Sequence, residues 1–209
     1  MITYGFSRMT ILKLTNDLVP EVGAEKVVIE GSSGKGATSS FDLTGLAKTP
    51  SKVFGSNIAY FLARKGYGDV AANFGILDVP YELDHEMAGH QKTAGGVRLL
   101  GKDTEPPHYA ILVESEDYES GDKVGFGIFA GTFGRGAYAV NTIGDDDFTP
   151  EADDYVCTPI AKEIDGVDEP QIVGFALGDK EFSELYTLLF GKAPDPETRN
   201  VNVRAADKK

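Results

Sequence analysis

In the stretch DVAANFGIL, residues 69–77, side chains alternate in character: Val70, Ala72, Phe74 and Ile76 fall on one side, Asp69 and Asn73 on the other. Successive side chains of an extended chain point to opposite faces, so the pattern predicts a strand with one packed and one polar face. Similar short runs recur at 25–31, 108–115, 123–133, 138–143, 154–164 and 170–177. The segment VFGSNIAYFLARKGYGDVAANFGIL (53–77) reads as two strands joined by a turn at RKGYG. The acidic turn EDYESGD (116–122) between two of these runs predicts a hairpin. No repeat of fixed period is present. The chain is therefore expected to be mainly β.

Two segments carry helical spacing instead. In the first, Asp78 is placed to cap, Pro80 lies in the first turn and Gly89 can end the helix in a left-handed conformation. Val79, Leu83 and Met87 form its packed stripe, which turns His85 and Glu86 outward. The second runs from Asp179 to Phe190, with Phe182, Leu185, Tyr186 and Leu189 on one face and Gly191 as stop. Residues 32–52, rich in Gly, Ser and Thr, read as one long mobile loop, and 194–209 as a polar tail. The expected layout is one α+β domain over 1–193 with one or two helices, followed by that tail.

Charge narrows the function. Of the formal net charge of −13, none arises in residues 1–100, where ten acidic and ten basic side chains balance. Residues 101–209 hold 23 acidic against ten basic, densest in GDDDFTPEADD (144–154) and EIDGVDE (163–169). Such a surface repels phosphate backbones, since nucleic-acid affinity comes mainly from Lys and Arg displacing counterions. The single cysteine, Cys157, leaves no partner for an intramolecular disulfide and reads as a small buried hydrophobe. No basic-then-apolar leader and no run of membrane-spanning length is visible, so synthesis and folding in the cytoplasm are expected, without membrane insertion.

The strongest chemical candidate is YELDHEMAGHQ, 81–91. A zinc helix of the H-E-x-x-H type needs histidines four apart, so that both return to one face. His85 and His90 are five apart, which on a helix separates them by roughly 140°. GSSGKGATSS (31–40) resembles a phosphate loop, but two residues rather than four follow its first glycine and no helical pattern comes after. No G-x-S-x-G elbow occurs. The glycines of FGIFAGTFGRGAYAV fit tight sheet packing or a bulge. No catalytic site, cofactor site or metal site emerges.

The order of these pieces resembles the major tail protein family of long-tailed bacteriophages. The match begins with VFGSNIAYFLARKGYGDVAANFGIL running into DVPYELDHEMAGH, where the family has a hairpin feeding an Asp-hydrophobic-Pro helix that ends in Gly-His. It continues through PHYAILVESED, KVGFGIFAGTF and AYAVNTIGDDDFTPEADDYVCTPIAKE. Many relatives carry an extra immunoglobulin-like domain at the carboxyl end, and on length none is expected within these 209 residues.

The resemblance implies a β-sandwich or open barrel of the tail-tube type packed against an α-helix. It also implies homohexameric rings that stack head-to-tail into a tube, meet tape measure, terminator and distal tail proteins, and pass double-stranded DNA. The place of action would be the virion tail, assembled in the host cytoplasm. On this reading Asp69 and Asn73 face the lumen, and Ser32, Lys35, Phe41 and Lys52 belong to an inter-ring loop. The competing classes are a metal-dependent hydrolase using His85, Glu86 and His90, and an acidic β-sandwich that binds a protein partner.

Overall fold

The computed structural model describes residues 1–140, 142 and 149–191. Its strands are β1 (Thr3–Leu14), β2 (Val27–Ile29), β3 (Ala37–Thr44), β4 (Ser51–Gly55), β5 (Ile58–Ala63) and β6 (Ala71–Leu77). Helix α1 (Tyr81–Met87) follows, then β7 (Gln91–Lys92), β8 (Arg98–Leu99), β9 (His108–Asp117), β10 (Lys123–Arg135), β11 (Asp153–Pro159), β12 (Val173–Leu177) and α2 (Gly178–Phe190). The architecture is mainly β with two helices, an open sandwich-like sheet.

Eight strands form one sheet in the order β2-β1-β9-β10-β11-β6-β3, with β12 also on β10. Strand β10 forks the sheet. Its first half, Val124–Ile128, pairs with β12, and its second half, Gly131–Arg135, pairs with β11. The far strand β3 curls back toward β1, where the Thr38 hydroxyl donates to the carbonyl of Phe6. The curl encloses an aromatic-rich core in which Phe41, Phe74, Phe133 and Tyr109 meet ring to ring.

A second core lies on the other face of β1, β9 and β10. On β9, Tyr109, Ile111 and Val113 enter the first core while Ala110 and Leu112 enter the second. Helix α2 covers this second face with Phe182, Leu185, Tyr186 and Leu189, and ends at Gly191 with φ 70°. Its close approach depends on missing side chains beneath it: a Cβ on Gly127 would stand 2.8 Å from Leu185 Cδ1. Full burial of each large apolar side chain contributes about 1.5–3 kcal/mol, so sheet and helix stabilise one another.

Three expectations are corrected. Residues 32–52 are not one loop, because 37–44 form β3 and β4 begins at Ser51. Phe41 and Leu43 alternate inward there, packing on the first core amid polar neighbours that disguise the strand. The turn of 53–77 lies at Ser56–Asn57, not at RKGYG, and β5 does not pair with β6: β5 pairs β4, while β6 lies between β3 and β11. The strand expected at 138–143 is absent at 138–140 and 142, and residues 141 and 143 lie outside the described part. Side-chain bonds shape the chain there instead: Arg135 Nε donates to the Ala137 carbonyl, and the Tyr138 hydroxyl donates to Asp84. The acidic run 144–154 is described only from 149, and the tail 194–209 lies outside the described residues.

Candidate assembly surface

Strands β4 and β5 make a two-stranded sheet of their own, set between β3 and β6. Ser56 and Asn57 both have positive φ, 51° and 65°, the backbone of a two-residue turn whose twist matches a hairpin. At the base, Gly68 N–H donates to the Gly45 carbonyl. A Cβ on Gly45, whose φ is +72°, would fall 1.8 Å from the Asp69 carbonyl oxygen, so only glycine permits this closure.

The arm buries almost nothing. Every residue of β5 is exposed, and so are the β4 residues apart from half-buried Gly55. Val53, Phe54, Ile58, Tyr60, Phe61 and Leu62 are each between 54% and 81% accessible. A lone two-stranded hairpin is marginal in water, and six large apolar side chains left wet on it mark an interaction surface.

A second surface lies on the sheet. Asn73 of β6 is exposed, flanked across the strands by Asp42 of β3 and Val156 of β11, both also exposed. Asp69, just before β6, is exposed as well. Strands β3, β6 and β11 contain no Lys or Arg. The sheet therefore presents a polar, cation-free strip beside the base of the arm. Of the remaining sequence candidates, Ser32 and Lys35 sit in the turn between β2 and β3, closed by Gly31 N–H on the Gly36 carbonyl. Phe41 lies in β3 against the core, and Lys52 is exposed on the arm.

Helix α1 closes one end of the first core, with Leu83 and Met87 buried and Val79 half-buried before it. Its cap differs from expectation: Asp78 makes no cap bond and instead accepts from Gly34 N–H. Pro80 stands at the cap position. A buried hub that sequence spacing does not reveal anchors the helix. Asp84, 5% accessible, accepts from the hydroxyls of Tyr155 and Tyr138 and pairs with Arg135, which also pairs with Asp153. Burial alone would raise the Asp84 carboxyl, but the two tyrosines and Arg135 outweigh it and hold it below the usual carboxylate value. Tyr138 is pushed up to about 12 by burial and by its bond to Asp84.

The histidines depart from the helical extrapolation. Gly89, at φ 73°, turns the chain after α1, and His90 folds back so that the two Nδ1 atoms stand 2.7 Å apart. Ring centroids 5.0 Å apart place the imidazoles end-on, as when one N–H donates to the other nitrogen. Two zinc–nitrogen bonds of about 2.0–2.1 Å at a tetrahedral angle would instead hold the nitrogens more than about 3 Å apart. Glu86 is engaged by Lys13. Among the described residues no group of three His, Cys, Asp or Glu is arranged to hold a metal ion.

A bare apolar arm, a cation-free strip and a doubly covered body describe a subunit more readily than a pocket. A family model described as phage tail tube protein matches residues 23–192. The chain belongs to the phage tail tube protein family. It is thus a structural component of a phage tail, in a family that builds tails by self-association. A search of curated proteins gave no significant match. No helix among the described residues is long and apolar enough to cross a membrane.

Proposed function

We propose that this tail tube protein assembles into six-membered rings that stack head-to-tail into a hollow conduit for genomic DNA, without catalytic activity. The observation that carries the reading is the β4–β5 arm, whose large apolar side chains the described residues leave exposed. Ring closure satisfies sheet edges that would otherwise pair at random, while head-to-tail stacking does not close and extends into a filament. Assembly takes place in the host cytoplasm, and the tube's ends meet the tape measure, terminator and distal tail proteins.

In this reading the strip bearing Asp42, Asp69 and Asn73 lines the bore. A wall without Lys or Arg gives a passing duplex no phosphate-binding site. Ser32 and Lys35, in the β2–β3 turn, and Lys52, on the arm, contact the adjoining ring, while Phe41 supports that surface from the core.

Negative-stain microscopy of the purified protein at rising concentration tests the proposal. Hollow tubes of stacked sixfold rings are expected, and Phe54→Asp is expected to abolish them while leaving a folded monomer. Tubes that form equally well with Phe54→Asp would overturn the role of the arm. A tube structure with Asn73 on the outer wall would overturn the assignment of the bore.

A further inference from the structure

The arm differs from the rest of the molecule in charge as well as in apolarity. Residues 43–68 contain Lys48, Lys52, Arg64 and Lys65 and no Asp or Glu, in a chain with 33 acidic side chains. All four cations are exposed, and none pairs with a carboxylate among the described residues. A partner for this arm therefore offers an apolar depression rimmed by carboxylates.

The subunit has a depression whose lining mixes apolar side chains with carboxylates. Between the segment 21–27 and α1 lies a cavity of about 320 Å³, with Leu83 and Tyr109 among its lining residues. Glu21, Glu25 and Glu86 stand on it with a single cation, Lys13, which pairs with Glu21 and Glu86 and leaves Glu25 without an ion pair among the described residues. The net charge at the rim is thus −2, three carboxylates against one ammonium. Beneath it the buried Tyr109 hydroxyl has no hydrogen-bond partner among the described residues.

We propose that the occupant of this cavity is the β4–β5 arm of a second copy of the chain. An apolar side chain of that arm fills the depression, and Lys52 and Arg64 meet Glu21 and Glu25. The inference rests on the self-assembly reading above and adds the acceptor. It also explains how subunits of net charge −13 approach one another: the basic segment of one copy meets the acidic rim of the next. Salt alone discriminates poorly, because it screens both this attraction and the general repulsion.

A charge swap within the full chain decides the matter. Lys52→Glu with Arg64→Glu, and separately Glu21→Lys with Glu25→Lys, are each expected to raise the critical concentration for tube formation about tenfold or more. The fourfold variant carrying both pairs is expected to return to within about threefold of the parent. Unchanged melting temperatures of the unassembled variants verify that each folds. An acceptor pair that leaves the critical concentration unchanged, or a fourfold variant no better than either double, overturns the inference. Tubes sensitive to Phe54→Asp but indifferent to the acceptor pair would leave the arm's role standing and remove only this cavity as its seat. Tubes indifferent to both would remove the arm as well.

Discussion

The β9–β10 and β4–β5 hairpins are built from the same kind of residue and meet opposite fates. In β9, residues 109–113 are all buried, because one face packs on the curled sheet and the other beneath α2. In the arm, Phe54, Tyr60 and Phe61 are 69%, 81% and 56% accessible. Alternation and apolar content make a hairpin in both places; the surrounding chain determines whether its faces find partners in the same molecule. Where they do, the residues report stability. Where they do not, they are left for the assembly proposed above.

Substitutions under α2 break the comparison most severely. Gly127→Val places branched carbons where Leu185 and Leu189 already stand, and should destabilise the monomer by about 1–3 kcal/mol or prevent folding. Leu112→Ala should cost about 2–5 kcal/mol in a denaturant titration. Leu62→Ala on the arm should shift the same titration by less than about 0.5 kcal/mol while weakening tube formation. Equal losses of monomer stability at Leu112 and Leu62 would contradict the division between body and arm.

The Asp84 hub sharpens the comparison through pH. Its carboxyl is held below the ordinary value, so its stabilisation is present above about pH 4 and is lost as pH falls through the depressed native value. Asp84→Asn should therefore cost about 1–3 kcal/mol at neutral pH, and the gap to the parent should narrow with acidification toward pH 2. A gap that widens on acidification would give the hub the wrong sign. The smallest effect is expected at Cys157, which is fully buried with its thiol pushed up to about 12 by desolvation. It should react with a thiol reagent only as fast as the body unfolds; rapid reaction in the folded monomer would show that the first core is open.

Much of the body was legible in the sequence. The β9–β10 hairpin shows dense apolar runs around an acidic turn, and α2 shows helical spacing with a glycine stop, because each pattern reflects one dominant packing direction. Strand β1 is harder to see: Met9 and Ile11 serve one core while Leu12 and Leu14 serve the other, so no clean alternation survives. Strand β3 hides behind exposed Ser39, Ser40 and Thr44. The Asp84 hub joins residues 51 to 71 positions apart, a separation no local pattern reports. The meeting of His85 and His90 is not legible for a local reason: His90 lies past the Gly89 helix stop, where helical spacing no longer fixes its direction.

The most direct test is a high-resolution reconstruction of the assembled tube, read at the arm. Phe54, Tyr60 and Phe61 should be buried against another copy of the chain, with the sheet and α2 little changed from the free subunit. Arms still extending into solvent within a complete tube would contradict the account.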